Sequence, residues 1–251
     1  MTILKLSVAV LAMAASHALA SGAHDHAIDQ AGAILSDADQ QKVASFDILA
    51  AHAQRQGNVV TFRMTSNGIA GADVPVATGE VGGSDVSSYV WPTSLDPSAV
   101  GFEGGTGILA MAATSHPDFD DTPLYDENND GDPSNDGVLW HSHWVVLTPT
   151  EACGPGALAV RDIPAGENPQ LPATWPGFPI FLDSPGFTPL FDGPEIAINA
   201  GFRSDIELEG VAYDGVTAAL RVNANIHSPL LCVVNVFDIA SGDLSLPAKL
   251  Q

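Results

Sequence analysis

Side chains that can ligate metal ions are concentrated in one stretch of the sequence, residues 114–147, which reads TSHPDFDDTPLYDENNDGDPSNDGVLWHSHWVVL. Histidines open and close this stretch, and a run of carboxylates lies between them, with no Lys or Arg anywhere in it. Imidazole and carboxylate groups without neighbouring basic side chains indicate cation binding, with divalent metal ions as the first hypothesis.

A histidine pair lies near the end of this stretch, in an apolar segment that predicts a β-strand over 137–147. Residues two apart in a strand point to the same face, so His141 and His143 are expected to project together. Two imidazoles on one face supply half of a transition-metal site, for zinc or copper. A purely structural hydrogen-bonded network is the alternative. The pair is similar to that of cupins, but the glycine-rich spacing of that family is missing, and none of its properties is transferred.

The remaining metal ligands must come from other parts of the chain. His116 ends an apolar strand predicted over 107–113, and His227 ends another predicted over 216–226. A carboxylate close to His116 could add an oxygen, and Asp118, Asp120 and Asp121 are the candidates. The predicted ligand set is therefore His116, His141, His143, Asp118, Asp120 and His227.

The acidic run contains a second candidate site, DENNDGDPSNDG at 126–137. It resembles the DxDxDG calcium loops of EF-hands and dockerins, in which alternate oxygen ligands surround one ion and a glycine allows the sharp turn. The resemblance implies calcium binding by Asp126, Asn128, Asp130, Asp132 and Asp136. It departs from the EF-hand pattern at the closing position, where Gly137 replaces the glutamate. A flexible acidic surface loop is the alternative.

The first twenty residues have the pattern of a secretory signal peptide, with Lys5, an apolar run and small residues at 18–20. Cleavage is expected after Ala20. Cleavage after Ala23 would instead leave His24 first, which resembles the histidine brace of copper-dependent polysaccharide monooxygenases. No other segment is long and apolar enough to cross a membrane, so the mature protein is expected to be exported, periplasmic or extracellular.

The two cysteines, Cys153 and Cys232, support this compartment. An even number of cysteines in an exported chain favours a disulfide. In the chain-entropy description, closing so long a loop stabilises the fold by about 4 kcal/mol. A thiolate metal site is the alternative, but neither cysteine has a nearby CxxC partner.

The pattern of short apolar runs predicts the fold. About nine strand-like segments, separated by Gly, Pro, Asn and Asp, indicate an all-β protein. With 24 glycines and 18 prolines, loops must form a large share of the chain. We expect a polar N-terminal segment over 21–45, then a single β-sandwich or jelly-roll-like domain over 46–251 with long Pro/Gly-rich loops.

The charge balance restricts the partners. Thirty acidic residues against eight basic ones give a net charge of −22, which repels phosphate backbones and excludes nucleic acid. The sequence identifies no protein partner. The leading hypothesis is an exported protein that binds divalent metal, with a metal-dependent hydrolase or oxidase as the alternative. A structural or adhesive module stiffened by calcium is the third.

Overall fold

The structure is a computed structural model that describes residues 27–225, 227 and 229–251. The expected signal peptide at 1–20, the two cleavage sites and His24 lie outside the described residues. The described part is all-β with antiparallel pairing, and its only helices are two single 3₁₀ turns, Pro97–Val100 and Glu151–Cys153. The predicted all-β class is confirmed. None of the described helices is long and apolar enough to span a membrane.

The described part of the chain forms fifteen strands, numbered in chain order. They are β1 (Ala27–Ile28), β2 (Ile34–Leu35), β3 (Ile48–Gln56), β4 (Val59–Ser66), β5 (Asp85–Pro92), β6 (Ile108–Ser115), β7 (His141–Pro149), β8 (Leu158–Val160), β9 (Leu182–Asp183), β10 (Leu190–Asp192), β11 (Glu195–Gly201), β12 (Ala212–Tyr213), β13 (Val216–Val222), β14 (Leu231–Ile239) and β15 (Ala248–Lys249).

The largest sheet closes on itself. Its strand order is β6-β5-β13-β14-β8-β7-β9, and β6 also pairs with β7. Six strands therefore form a barrel-like ring, and β9 joins β7 beside β8. Closure leaves the ring without a free edge between β6 and β7, so every strand of the ring has one face inside it and one outside.

A second sheet, with the order β1-β2-β3-β4-β11-β10, packs against the outside of the ring. Its inward residues share one apolar core with the outer faces of the ring strands, and Phe62 of β4 contacts Trp91 and Trp144 at ring-centroid distances of 6.0 and 5.9 Å. Part of the predicted polar N-terminal segment belongs to this sheet, as β1 and β2. The predicted two-sheet sandwich is not confirmed, because one of the two sheets is a closed ring.

Strand β7 shows how the sequence assigns its side chains to the two faces. Trp144 and Val146 point outward into the core shared with the second sheet. His143, Val145 and Leu147 point into the ring and line its interior. The predicted alternation is therefore present, although β7 begins four residues later than the predicted strand because residues 137–140 form a turn.

The disulfide is confirmed. Cys153, in the turn after β7, is bonded to Cys232 of β14, with Cα atoms 5.5 Å apart. Both cysteines of the chain are used in this bond, so the thiolate metal site considered above is wrong.

Candidate metal centre

Three histidines meet at one end of the ring because of the pairing between β6 and β7. In that register His141 lies opposite Thr114, and His143 follows two residues later on the same inward face. His116 comes directly after β6, where its backbone N–H donates to the carbonyl of Gly137 at 2.7 Å. The two ends of the long loop between β6 and β7 therefore lie close together, and the three imidazoles lie side by side.

A carboxylate completes the group. Oδ1 of Asp121 lies 3.2, 3.1 and 3.2 Å from Nε2 of His116, His141 and His143, respectively. The Nε2 atoms of His116 and His141 are 2.9 Å apart. Among the described residues, these four side chains are the one group of three or more His, Cys, Asp or Glu that could share an ion. We call this group the metal centre.

These separations fit a tetrahedral ion. Zinc bonds imidazole nitrogen and carboxylate oxygen at about 2.0–2.2 Å, and the edge of a regular tetrahedron is roughly 1.63 times that length, or about 3.3–3.6 Å. Four of the donor separations, the three from Asp121 Oδ1 and the one between Nε2 of His116 and His141, are 2.9–3.2 Å, which is about 0.1–0.7 Å shorter than that edge. A small outward movement of the side chains would produce zinc geometry.

The other nitrogen of each ring is held by a backbone carbonyl. Nδ1 of His116 lies 2.9 Å from the carbonyl of Phe119, and Nδ1 of His141 lies 2.8 Å from that of Leu139. Nδ1 of His143 lies 3.2 Å from the carbonyl of Asp183. A carbonyl only accepts, so each Nδ1 carries a proton, and Nε2 is the nitrogen that presents a lone pair to a metal ion when the ring is neutral. Metal-ligating histidines have this arrangement.

The metal centre is removed from water. The four side chains are between 0 and 4% exposed. Burial by itself would raise the pKa of Asp121, but the positive charge that His143 and His116 carry when protonated has the larger effect and lowers that pKa well below its usual value. Asp121 is therefore an anion in an enclosed site.

Two atoms of the metal centre lack a hydrogen-bond partner among the described residues, Oδ1 of Asp121 and Nε2 of His143. Buried polar atoms are nearly always paired, and an unpaired buried charge is strongly destabilising. Both atoms point at the place where the other two imidazoles converge. A cation bound there would satisfy all four at once.

The loop that carries Asp121 is positioned by a close backbone approach. A Cβ on Gly137 would lie 1.8 Å from the carbonyl oxygen of Phe119 and 2.6 Å from that of His116, so only glycine fits. Ser184 supports the same loop, since its hydroxyl donates to the carbonyl of Asp121 at 2.7 Å and lies 3.2 Å from Nδ1 of His143.

The structure does not bring the other predicted ligands to this point. Asp118 accepts hydrogen bonds from the backbone of Thr78 and Gly79. Asp120 accepts from the backbone N–H and hydroxyl of Thr122 at 2.9 and 3.1 Å. The carboxylate of the metal centre is Asp121 instead.

His227 also lies elsewhere. Strand β13 ends at Val222, five residues before it, and the imidazole lies 3.1 Å from a carboxylate oxygen of Asp162 on the exposed surface. The sequence predicted that His227 lies at the end of a strand over 216–226. That strand is shorter than predicted, so His227 lies beyond its end and is not one of the four residues of the metal centre.

The predicted calcium ligands form an acidic loop over 126–136 that is organised by its own backbone. Asp126 accepts from the N–H of Asp130 and Gly131 at 3.1 and 2.7 Å. Asp136 is buried and closes the loop, accepting from the backbone of Glu127 and the side-chain amide of Asn128. The predicted turn at Gly131 is present, with φ of 94°. Calcium binding in this loop stays a prediction.

The metal centre forms one end of a cavity inside the ring. This cavity has a volume of about 390 Å³, and His116, Asp121 and His143 are part of its wall. Most of the wall consists of aliphatic side chains from the inward faces of the ring strands. The sequence did not indicate this cavity, because it depends on the closure of the sheet.

The chain matches no family model, no curated protein and no solved structure.

Proposed function

We propose that this is an exported protein that binds one divalent transition-metal ion through His116, His141, His143 and Asp121. The observation that carries the proposal is that Oδ1 of Asp121 lies within 3.2 Å of all three Nε2 atoms and that each ring is fixed by a carbonyl at Nδ1. The role proposed is metal binding or carriage.

Zinc and copper are the metals proposed. Imidazole is a good ligand for both, and a set of four nitrogen and oxygen donors is the usual number for zinc. Three nitrogen donors and one oxygen donor fill a four-coordinate ion, so a zinc ion would be held in a closed site.

Export to the periplasm or the extracellular space is supported by two features. The first twenty residues have the composition of a signal peptide, and the Cys153–Cys232 disulfide is typical of oxidising compartments. Sequencing the N-terminus of the exported protein tests cleavage after Ala20 against cleavage after Ala23.

Elemental analysis of the native exported protein tests the metal proposal. We expect close to one zinc or copper ion per chain, released by a chelator with a fall in melting temperature. The double variant His141→Ala, His143→Ala should contain no transition metal. The matched control is His227→Ala, which removes an exposed imidazole and should leave the metal content unchanged. Equal metal content in all three proteins would contradict the proposal.

A metal-dependent hydrolase or oxidase is the second candidate function, and the cavity that ends at the metal centre favours it. Catalysis would require an open coordination position, given by a metal with more than four ligands or by release of Asp121. Cobalt substitution tests this, because azide changes the visible spectrum of cobalt only when it can enter the coordination shell. A spectrum unaffected by azide would favour the closed binding or carriage role.

A calcium-stiffened structural or adhesive module is the third class, and it depends on the acidic loop alone. Its support is the spacing of Asp126, Asn128 and Asp130 before Gly131. A calcium titration of the melting temperature, with Asp130→Asn as the comparison, tests it separately from the metal centre.

A further inference from the structure

The cavity inside the ring has two chemically different ends. At one end, Thr114, Asp121 and His143 form a polar wall. At the other end, aliphatic residues line the cavity and are also exposed to solvent: Ile108 is 39% exposed and Leu244 is 37%. Side chains that are both cavity wall and surface mark an opening, so the cavity is entered from the end opposite the metal centre.

The middle of the cavity is aliphatic on every side. Val90 of β5, Ala112 of β6, Val145 of β7 and Ala218 of β13 all point into it. Ser88 also lies in the wall, but its hydroxyl is already used, because it donates to the carbonyl of Ala218 at 2.8 Å. A ligand in this part of the cavity would find no free hydrogen-bond donor among these side chains.

The opening is shaped by two residues with unusual backbone. Leu244 and Leu246 both have positive φ, 59° and 52°, which residues with a Cβ seldom adopt. Both side chains line the cavity. The chain thus places two leucines at the entrance in spite of an unfavourable conformation, and such conformations recur at ligand-binding positions.

We infer that the ring binds one apolar small molecule with a single oxygen-bearing end, the apolar body along the aliphatic wall and the oxygen at Thr114. Binding pockets for small molecules are mostly apolar with few polar groups, and 390 Å³ lies within their usual range. An apolar cavity of roughly 150 Å³ holds benzene, so this volume corresponds to a ligand of about 15 non-hydrogen atoms.

The Thr114 hydroxyl is the group that would recognise the ligand's polar end. It lies in the cavity wall, and its Oγ1 is 3.0 Å from Nε2 of His141. With a proton on Nδ1 of His141, the Thr114 hydroxyl donates to the neutral ring's Nε2, and its oxygen is left to accept from a ligand hydroxyl. It therefore sits between the aliphatic part of the cavity and the metal centre. The inference does not rest on a bound metal ion, because the aliphatic wall and the hydroxyl belong to the ring strands.

The neutral fluorescent probe N-phenyl-1-naphthylamine tests the inference on the exported protein as isolated. We expect saturable binding of one probe per chain, reversed by decan-1-ol. Ala112→Phe fills the middle of the cavity and should weaken probe binding about tenfold or more, with little loss of stability because the space exists. The matched control Ala77→Phe places the same side chain on the exposed surface and should bind the probe like the original chain.

The polar end is tested by comparing decan-1-ol with decane as competitors. Thr114→Val keeps the shape of the side chain and should cut the preference for the alcohol by about three- to tenfold, the effect of one hydrogen bond. Absence of saturable binding, or equal binding by the Ala112→Phe and Ala77→Phe variants, would overturn the inference. Metal content is measured in a separate experiment, so a negative result with the probe does not contradict the proposed metal binding. A protein that takes up no metal likewise does not contradict the proposed binding of an apolar molecule.

Discussion

The metal centre and the acidic loop contain similar donor atoms but differ in what those atoms contact. In the loop, Asp126 accepts from two backbone N–H groups and Asp132 accepts from the N–H and hydroxyl of Ser134. In the metal centre, Oδ1 of Asp121 and Nε2 of His143 have no hydrogen-bond partner among the described residues. Exposed carboxylates satisfied by their own backbone are complete without an ion, whereas buried acceptors facing one another require a positive charge.

The largest effect is expected from His143→Ala. Removing one of four ligands should abolish zinc-dependent stabilisation, which is about 4 kcal/mol when free zinc is roughly 1,000 times its Kd. The measurement is denaturant unfolding with and without zinc. Asp130→Ala, in the acidic loop, is the matched control and should keep the full zinc dependence. If zinc still stabilises the His143→Ala protein by the same amount, the metal is bound elsewhere.

Gly137→Ala should have the next largest effect. The new methyl group would overlap the carbonyl oxygen of Phe119, and the loop that carries Asp121 must shift. We expect destabilisation of about 1–3 kcal/mol and metal affinity lowered by about 10–100-fold. Isothermal titration with zinc measures the affinity.

The control for that change is Gly131→Ala in the acidic loop. Gly131 has φ of 94°, but a methyl group there would meet no atom within 4 Å, so backbone strain of about 1–2 kcal/mol is the only expected cost. Its zinc affinity should equal that of the unaltered chain. An equal loss of affinity in both glycine variants would remove the distinction between the two regions.

Ser184→Ala should have a smaller effect on the metal centre. It removes the hydrogen bond to the carbonyl of Asp121 and the contact with Nδ1 of His143, without removing a ligand. Zinc affinity should fall by about three- to tenfold, the loss of one hydrogen bond. Ser134→Ala, in the acidic loop, should leave the affinity unchanged. An unchanged zinc affinity in the Ser184→Ala protein would show that the loop carrying Asp121 is held by its backbone contacts alone.

Asp132→Ala should have the smallest effect. Asp132 is exposed, and among the described residues its carboxylate accepts hydrogen bonds only from neighbouring Ser134. The free energy of unfolding without added metal should change by less than about 0.5 kcal/mol. Denaturant unfolding checks this value. A loss well above about 1 kcal/mol, or a change in zinc affinity, would mean that the acidic loop and the metal centre act as one unit.

Part of the metal centre could be predicted from local patterns. Alternation along a strand is a local property, and it placed His141 and His143 on one face. The position of His116 directly after an apolar run placed it at a strand end near them. Both inferences needed only the period of a β-strand and the direction of the chain.

The remaining parts depend on contacts between distant residues. Residues 118, 120 and 121 are all aspartates, and only the folded loop decides which one points inward. That loop is held by the contact of Gly137 with Phe119 and by the bond from His116 Nδ1 to the same residue. The closed ring likewise depends on the pairing of β6 with β7, which are separated in the sequence by the long acidic segment between them. Neither the barrel-like sheet nor its cavity could therefore be predicted from strand patterns.

X-ray absorption at the zinc edge of the zinc-loaded protein tests the central claim most directly. Three histidines and Asp121 predict a coordination shell of four nitrogen or oxygen atoms at about 2.0–2.2 Å, with the outer-shell scattering of three imidazole rings. A shell of oxygen atoms alone, without imidazole scattering, would place the ion in the acidic loop and contradict the account.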